Sequence, residues 1–138
     1  MVIKKRDKMC IRDRNKGYTP RSDTWQPDMD DINSKASIYN LSVDSMILNR
    51  YKETLFELSS RNIKTIIVFM PIHMDGQNLM SNMDRYRKTF INLTKENVKF
   101  LDLTVDSMCL DKRNFYNNSH VNTIGSEIVL NRIIEFIK

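Results

Sequence analysis

Apolar side chains recur along this chain in two rhythms, and the points where one gives way to the other mark its elements. Met46, Ile47, Tyr51, Leu55 and Leu58 fall at spacings of one, four, four and three, the period of one face of an α-helix. Ser42 is the N-cap this pattern predicts, Ser60, Arg61 and Asn62 end it, and the stripe is expected to face a core. The period then breaks into a β-branched run, residues 63–70, closed by Pro71. Such a run after a helix and a short turn predicts a strand covered on both faces in a parallel sheet. A second helix is predicted over residues 79–95, with Met83, Tyr86, Phe90 and Leu93 on one face and its methionines as core filler. Residues 98–103 read as a short strand with partial alternation. Last, Ile124, Ile128, Val129, Leu130, Ile133, Ile134, Phe136 and Ile137 give a broad apolar face behind Asn122 or Thr123 as N-cap. That helix is expected to pack deeply against the sheet. The order is αβαβα, with right-handed crossovers and a short parallel sheet.

The first forty residues follow neither rhythm. Residues 15–40 hold Gly17, Pro20, Pro27 and the acidic group Asp28, Asp30 and Asp31, and read as a loop or linker from which Tyr18 or Trp25 docks on the body. Residues 8–14, Lys-Met-Cys-Ile-Arg-Asp-Arg, back-translate into the mosaic end used in transposase-based sequencing libraries. Residues 1–14 are therefore read as adapter-derived, with the native chain expected to begin near Asn15 and its upstream part cut away. The domain proper is then residues 41–138.

Charge supports that division. The chain carries 22 Lys and Arg against 17 Asp and Glu, a net charge of +5. Lys4, Lys5, Arg6, Lys8, Arg12 and Arg14 against Asp7 and Asp13 supply +4 of it, which leaves +1 for the remainder. A basic face for nucleic acid is thus not expected. No run of 18 apolar residues is present to span a membrane, and the opening residues lack the apolar stretch of a signal peptide. Cys10 and Cys109 have neither metal spacing nor the pattern of a disulfide framework, and no cofactor or metal is expected.

Candidate chemistry gathers in residues 114–125, Asn-Phe-Tyr-Asn-Asn-Ser-His-Val-Asn-Thr-Ile-Gly, which run into the last helix. A loop held by a rigid helix can present the His120 imidazole to a cleft as a general base, although a plain surface role fits the same position. His73 lies in the loop beyond the first strand's carboxyl end, the edge where open α/β sheets bind ligands; a structural role is its alternative. Asp102 sits inside the second strand, and Asp106 and Asp111 lie just after it; carboxylates there can serve a site or cap a turn. Val-Asp-Ser-Met occurs at residues 43–46 and again at 105–108, which reads as coincidence because no longer period accompanies it.

Taken together, the strand ending in Pro71, the short strand of residues 98–103 with its Asp102 and the block Phe115-Tyr116-Asn117-x-x-His120-Val121-Asn122-x-x-Gly125 resemble the C-terminal part of the SGNH (GDSL-type) hydrolase superfamily. The resemblance covers residues 41–138. It implies part of a three-layer, flavodoxin-like α/β fold in which the last block supplies the acid and base of a Ser-His-Asp triad. By that match His120 is the base, Asn117 its orienting partner, Asn122 a cap and Gly125 a point of close packing; His73, Asp102 and Asp111 stand as rim residues. Two departures matter. The acid position holds Asn117, whose amide carries no charge and whose NH2 can select the wrong imidazole tautomer. The nucleophile block, a strand followed by Gly-Asp-Ser, is absent, and so are the blocks that complete an oxyanion hole. Ser45 lies in a helical pattern and the Ser119 side chain is expected to diverge from His120, so neither is read as a nucleophile.

The expected function is therefore a fragment of a serine-dependent esterase or O-acyltransferase, inactive alone, that lacks the N-terminal half of its domain. Its substrate would be a small-molecule or carbohydrate acyl ester, and the resemblance alone suggests the cell envelope. A non-catalytic binding module with a degenerate triad is the alternative, and a flavodoxin-like regulatory domain ranks last.

Overall fold

A computed structural model describes residues 23–138; the stretch read as adapter-derived and Tyr18 lie outside the described residues. The segment read as a linker carries a short helix, α1 (Met29–Lys35), with Asp30 and Asp31 in its first turn, where the helix dipole favours carboxylates. Next comes α2 (Ser45–Ser60). Its cap is Asp44 rather than Ser42, and the carboxylate accepts from the Met46 and Ile47 amides at 2.8 and 3.1 Å. A charged acceptor serving two orphan amides displaces the start by two residues.

After α2 come β1 (Thr65–Phe69) and a single turn, α3 (Met74–Gln77), then α4 (Met83–Ile91). The helix expected from residue 79 starts later because Tyr39 claims the main chain there. Its N–H donates to the Leu79 carbonyl at 2.8 Å and its carbonyl accepts from Ser81 at 3.0 Å. β2 (Val98–Asp102) lies parallel to β1, from Thr65 opposite Val98 to Phe69 opposite Asp102. Two 3₁₀ turns, Ser107–Leu110 and Lys112–Asn114, lead into a hairpin of β3 (Phe115–Asn117) and β4 (His120–Val121), and α5 (Thr123–Ile137) closes the fold. The described residues thus form a mixed α/β structure of five α-helices and a two-stranded parallel sheet, with the hairpin beside it.

One buried cluster, Leu103, Met108, Cys109, Phe115 and Val129, lies between the segment after β2 and α5; a second, Leu55, Ile67 and Val98, lies under α2. Deep packing of the helices is only half realised. On α5 Gly125 and Val129 are buried, while Ile124, Leu130, Ile134 and Ile137 are exposed. On α2 the expected core stripe keeps Leu55 buried but leaves Met46 and Ile47 71% and 68% exposed. The cause is geometric, since two strands set about 5 Å apart offer less width than a helix of about 10 Å diameter needs to cover its apolar face. The sheet also keeps a free edge. Thr65 donates to Asn97 and Phe69 accepts from Leu103, which turns these main-chain groups toward β2. By the alternation of a strand, Ile66 and Val68 point theirs the other way, where no strand pairs among the described residues.

Candidate functional site

The hairpin tip, residues 116–120, is organised by one amide. Asn117 Oδ1 accepts from the Ser119 N–H at 3.1 Å and from the His120 N–H at 3.0 Å, and it lies 3.0 Å from His120 Nδ1. Two backbone donors decide which end of the amide sits there, because an NH2 in that place would face N–H groups on both sides. With oxygen fixed, the contact favours the tautomer that carries its proton on Nδ1 and leaves the lone pair on Nε2.

Ser119 departs from expectation. The tight turn folds its side chain back instead of letting it diverge, and Oγ stands 3.1 Å from His120 Nδ1. In the Nδ1–H tautomer Oγ accepts a share of that hydrogen bond and gains no activation as a nucleophile. Tyr116 stacks on the exposed His120 ring at 5.3 Å and 25°. The imidazole borders a cavity of about 360 Å³ lined also by Met70, Pro71, Tyr116, Val121 and Ser126. Met70 and Pro71 directly follow β1, so the cavity opens at the carboxyl end of the strands. A neighbouring apolar cavity of about 500 Å³, between Met70 and α5 residues Val129, Leu130 and Ile133, shares its Val121 and Ser126 wall.

His73 is at the same end of β1, and its N–H donates to the Asn118 carbonyl at 2.9 Å. Its ring, however, is buried, 3% exposed, instead of standing at a rim. Trp25 covers it at 4.6 Å and Phe115 meets it edge-on at 5.5 Å, while Nδ1 accepts from the Asp75 N–H at 3.2 Å to cap α3. Burial holds its pKa below the ordinary value, with the Asp75 carboxylate pulling upward and Lys112 downward. Trp25 thus docks on the body as its sequence predicts, and His73 is what it docks on.

The two candidate carboxylates are committed elsewhere. Asp102 Oδ1 accepts from the Thr104 N–H and hydroxyl at 2.9 and 2.6 Å, and Oδ2 faces Arg87 at 3.1 Å. Asp111 caps the second 3₁₀ turn and grips Arg113, whose guanidinium lowers the carboxyl pKa. Neither is a partner of His120 Nδ1. Cys109 is a core residue: burial pushes its thiol up to about 11 and Sγ lies 3.2 Å from the Leu103 carbonyl. Among the described residues no cluster of His, Cys, Asp or Glu could hold a metal ion, and no helix is long and apolar enough to cross a membrane.

The start of α5 fixes the hairpin from behind. Asn122 is buried; its Oδ1 accepts from the Gly125 N–H at 3.1 Å and its Nδ2 donates to the Arg113 carbonyl at 2.8 Å. A Cβ on Gly125 would lie 2.2 Å from the Asn114 carbonyl oxygen and 2.9 Å from Val121 Cβ. Of the residues singled out in the sequence, the fold therefore brings His120 and Asn117 together and leaves His73, Asp102 and Asp111 to structural work. It adds Tyr116 and Ser119, whose nearness depends on a hairpin too short to show a strand rhythm. Compared with known proteins, the chain matches no family model, no curated protein and no solved structure.

Proposed function

We propose that this chain carries the base of a serine-dependent ester hydrolase or O-acyltransferase of the SGNH type, as the C-terminal part of that flavodoxin-like fold. The observation that carries the reading is the Asn117 Oδ1 to His120 Nδ1 contact at 3.0 Å, with the oxygen held by two backbone amides. Nε2 is then free to take a proton from a serine hydroxyl as it attacks an acyl carbonyl, and to return it to the leaving alcohol. Asn117 orients the ring through both steps. Being neutral, it stabilises the imidazolium less than a carboxylate would. The nucleophile would come from a strand ending in Gly-Asp-Ser that this sequence does not contain. The free edge of β1, whose carboxyl end borders the His120 cavity, is a suitable place for that strand to pair. The substrate class is an acyl or acetyl ester, including esters on cell-envelope carbohydrate, and no cofactor is required.

The test joins residues 15–138 to the reading frame that precedes them in the native gene. Esterase turnover and labelling of one upstream serine by a fluorophosphonate are expected, both lost in His120→Ala, while the chain alone shows neither. A complete upstream domain that takes no label would refute the proposal. Asn117→Asp in the joined protein should raise kcat about tenfold, the difference between a neutral and a charge-assisted hydrogen bond to the imidazolium.

A second reading has its own support. The two amide bonds to Asn117 give this residue a purely structural turn-forming job, which suits a binding module whose triad chemistry is lost. In that case Asn117→Asp leaves the joined protein without turnover.

A further inference from the structure

We propose that Trp25 and α1 form a strap that positions the His120 hairpin, with Asn33 and Asn118 as its positioning pair; the strap's role rests on His120 being the base. Asn118 lies between the residue that orients His120 and the serine beside it, at the point where a two-strand hairpin frays most easily. Its amide makes a reciprocal pair with Asn33 across the chain: Asn118 Nδ2 donates to Asn33 Oδ1 at 2.5 Å, and Asn33 Nδ2 donates to Asn118 Oδ1 at 3.0 Å. Such a pair satisfies one donor and one acceptor of each amide at once and fixes the orientation of both.

The strap holds the tip at a second place. The Gln26 N–H donates to the carbonyl of Tyr116, the residue whose ring stacks on His120, at 3.1 Å. The strap is anchored in turn. Trp25 lies on His73 and donates from Nε1 to Asp30 at 3.1 Å, while Lys112 sits 5.0 Å from the Trp25 ring and 2.5 Å from Asp30. From the other side α3 closes on the tip, where a Cβ on Gly76 would lie 3.0 Å from Asn118 Cβ and from its carbonyl oxygen. None of these bonds uses the His120 ring. They fix the turn in which Asn117 Oδ1 can reach both backbone amides and Nδ1, so the strap acts on the base through Asn117 and is not itself catalytic.

The experiment uses the ¹⁵N-labelled chain and reads two signals: amide exchange at Ser119 and His120, the donors to Asn117, and the protonated nitrogen of neutral His120. In Asn33→Ala exchange at both amides should rise about tenfold, the weight of one lost hydrogen bond. The Nδ1–H signature should fall toward the mixture of free imidazole, with exchange in β1 and β2 unchanged. Asn118→Ala should reproduce this, Asn33→Asp, which still accepts from Asn118 Nδ2, should restore part of it, and Lys52→Ala on the exposed surface of α2 should change nothing. Unaltered exchange and tautomer in Asn33→Ala would overturn the strap, and so would a loss of protection spread through β1 and β2. An Nε2–H signature in the unsubstituted chain sinks the base reading instead, which separates the two failures.

Discussion

At Asn117 one oxygen faces the Ser119 N–H, the His120 N–H and His120 Nδ1, and in the proposed triad that crowding would let an amide do the orienting work of a carboxylate. The imidazole would have no charge beside it but would keep its direction, because the two backbone amides hold the oxygen in place. In the sequence this pairing was legible only through the resemblance carried by the Asn117-x-x-His120 block. Ser119 was not, because the turn that returns it to Nδ1 is made by contacts from Asn33, Gln26 and His73, all distant along the chain. His73 teaches the complementary lesson. Its position beyond a strand suggests a site, and its burial under Trp25 gives it a structural role that changes with pH. The ordinary histidine value is 6.5, and burial, opposed by Asp75, sets His73 lower in the folded chain. The unfolded chain therefore takes up this proton first as pH falls. The histidine's contribution is whole above about pH 6.5 and drains away below it. Denaturation midpoints should decline from that pH downward, well before the carboxylates of Asp106 and Asp111, both held below 3.8, begin to titrate. His73→Asn keeps an N-cap for α3 and should abolish the decline; an identical acid slope in that variant would contradict this assignment.

Among the elements, the two long helices, the parallel pair and the final helix were readable because each is written in a local rhythm. Their ends were less so. The repeated Val-Asp-Ser-Met reads as coincidence by period, yet both copies do the same local job: Asp44 starts α2 and Asp106 starts a 3₁₀ turn, each accepting from the amide two residues on at 2.8 and 2.9 Å. The residues behind each aspartate decide which helix grows. Behind Asp44 lies a long amphipathic run, whereas behind Asp106 the chain must turn at once to bury Met108 and Cys109. The α1 helix was missed because seven residues with two acids carry little periodicity, and it is held by contacts to Asn118 and Lys112 more than by propensity. A close join between elements is Gly125 against the Asn114 carbonyl, a backbone atom that cannot swing aside. Gly125→Ala should cost roughly 1–3 kcal/mol in chemical denaturation and shift the amide signals of residues 114–121, since α5 must back away from the hairpin. Wild-type stability in that variant would mean the helix start is looser than these contacts require.

Over the whole molecule, the exposed faces of α2 and α5 and the free edge of β1 have one origin, a sheet too narrow for the helices laid on it. Sequence rhythm revealed that these faces are apolar but not that they stay uncovered, because coverage depends on how many strands lie side by side. Exposed apolar helix faces beside an unpaired strand edge favour association. The isolated chain should therefore self-associate in sedimentation as its concentration is raised, and a monomer that unfolds in a single cooperative step would argue that no further strand is needed. The proposed chemistry depends on something smaller within this frame, the direction of one imidazole. Measuring which ring nitrogen of His120 carries the proton, by ¹⁵N correlation spectroscopy of the chain above the histidine titration, tests it most directly. Nδ1–H with a bare Nε2 is the predicted result; a ring protonated on Nε2 and bare on Nδ1 would contradict it.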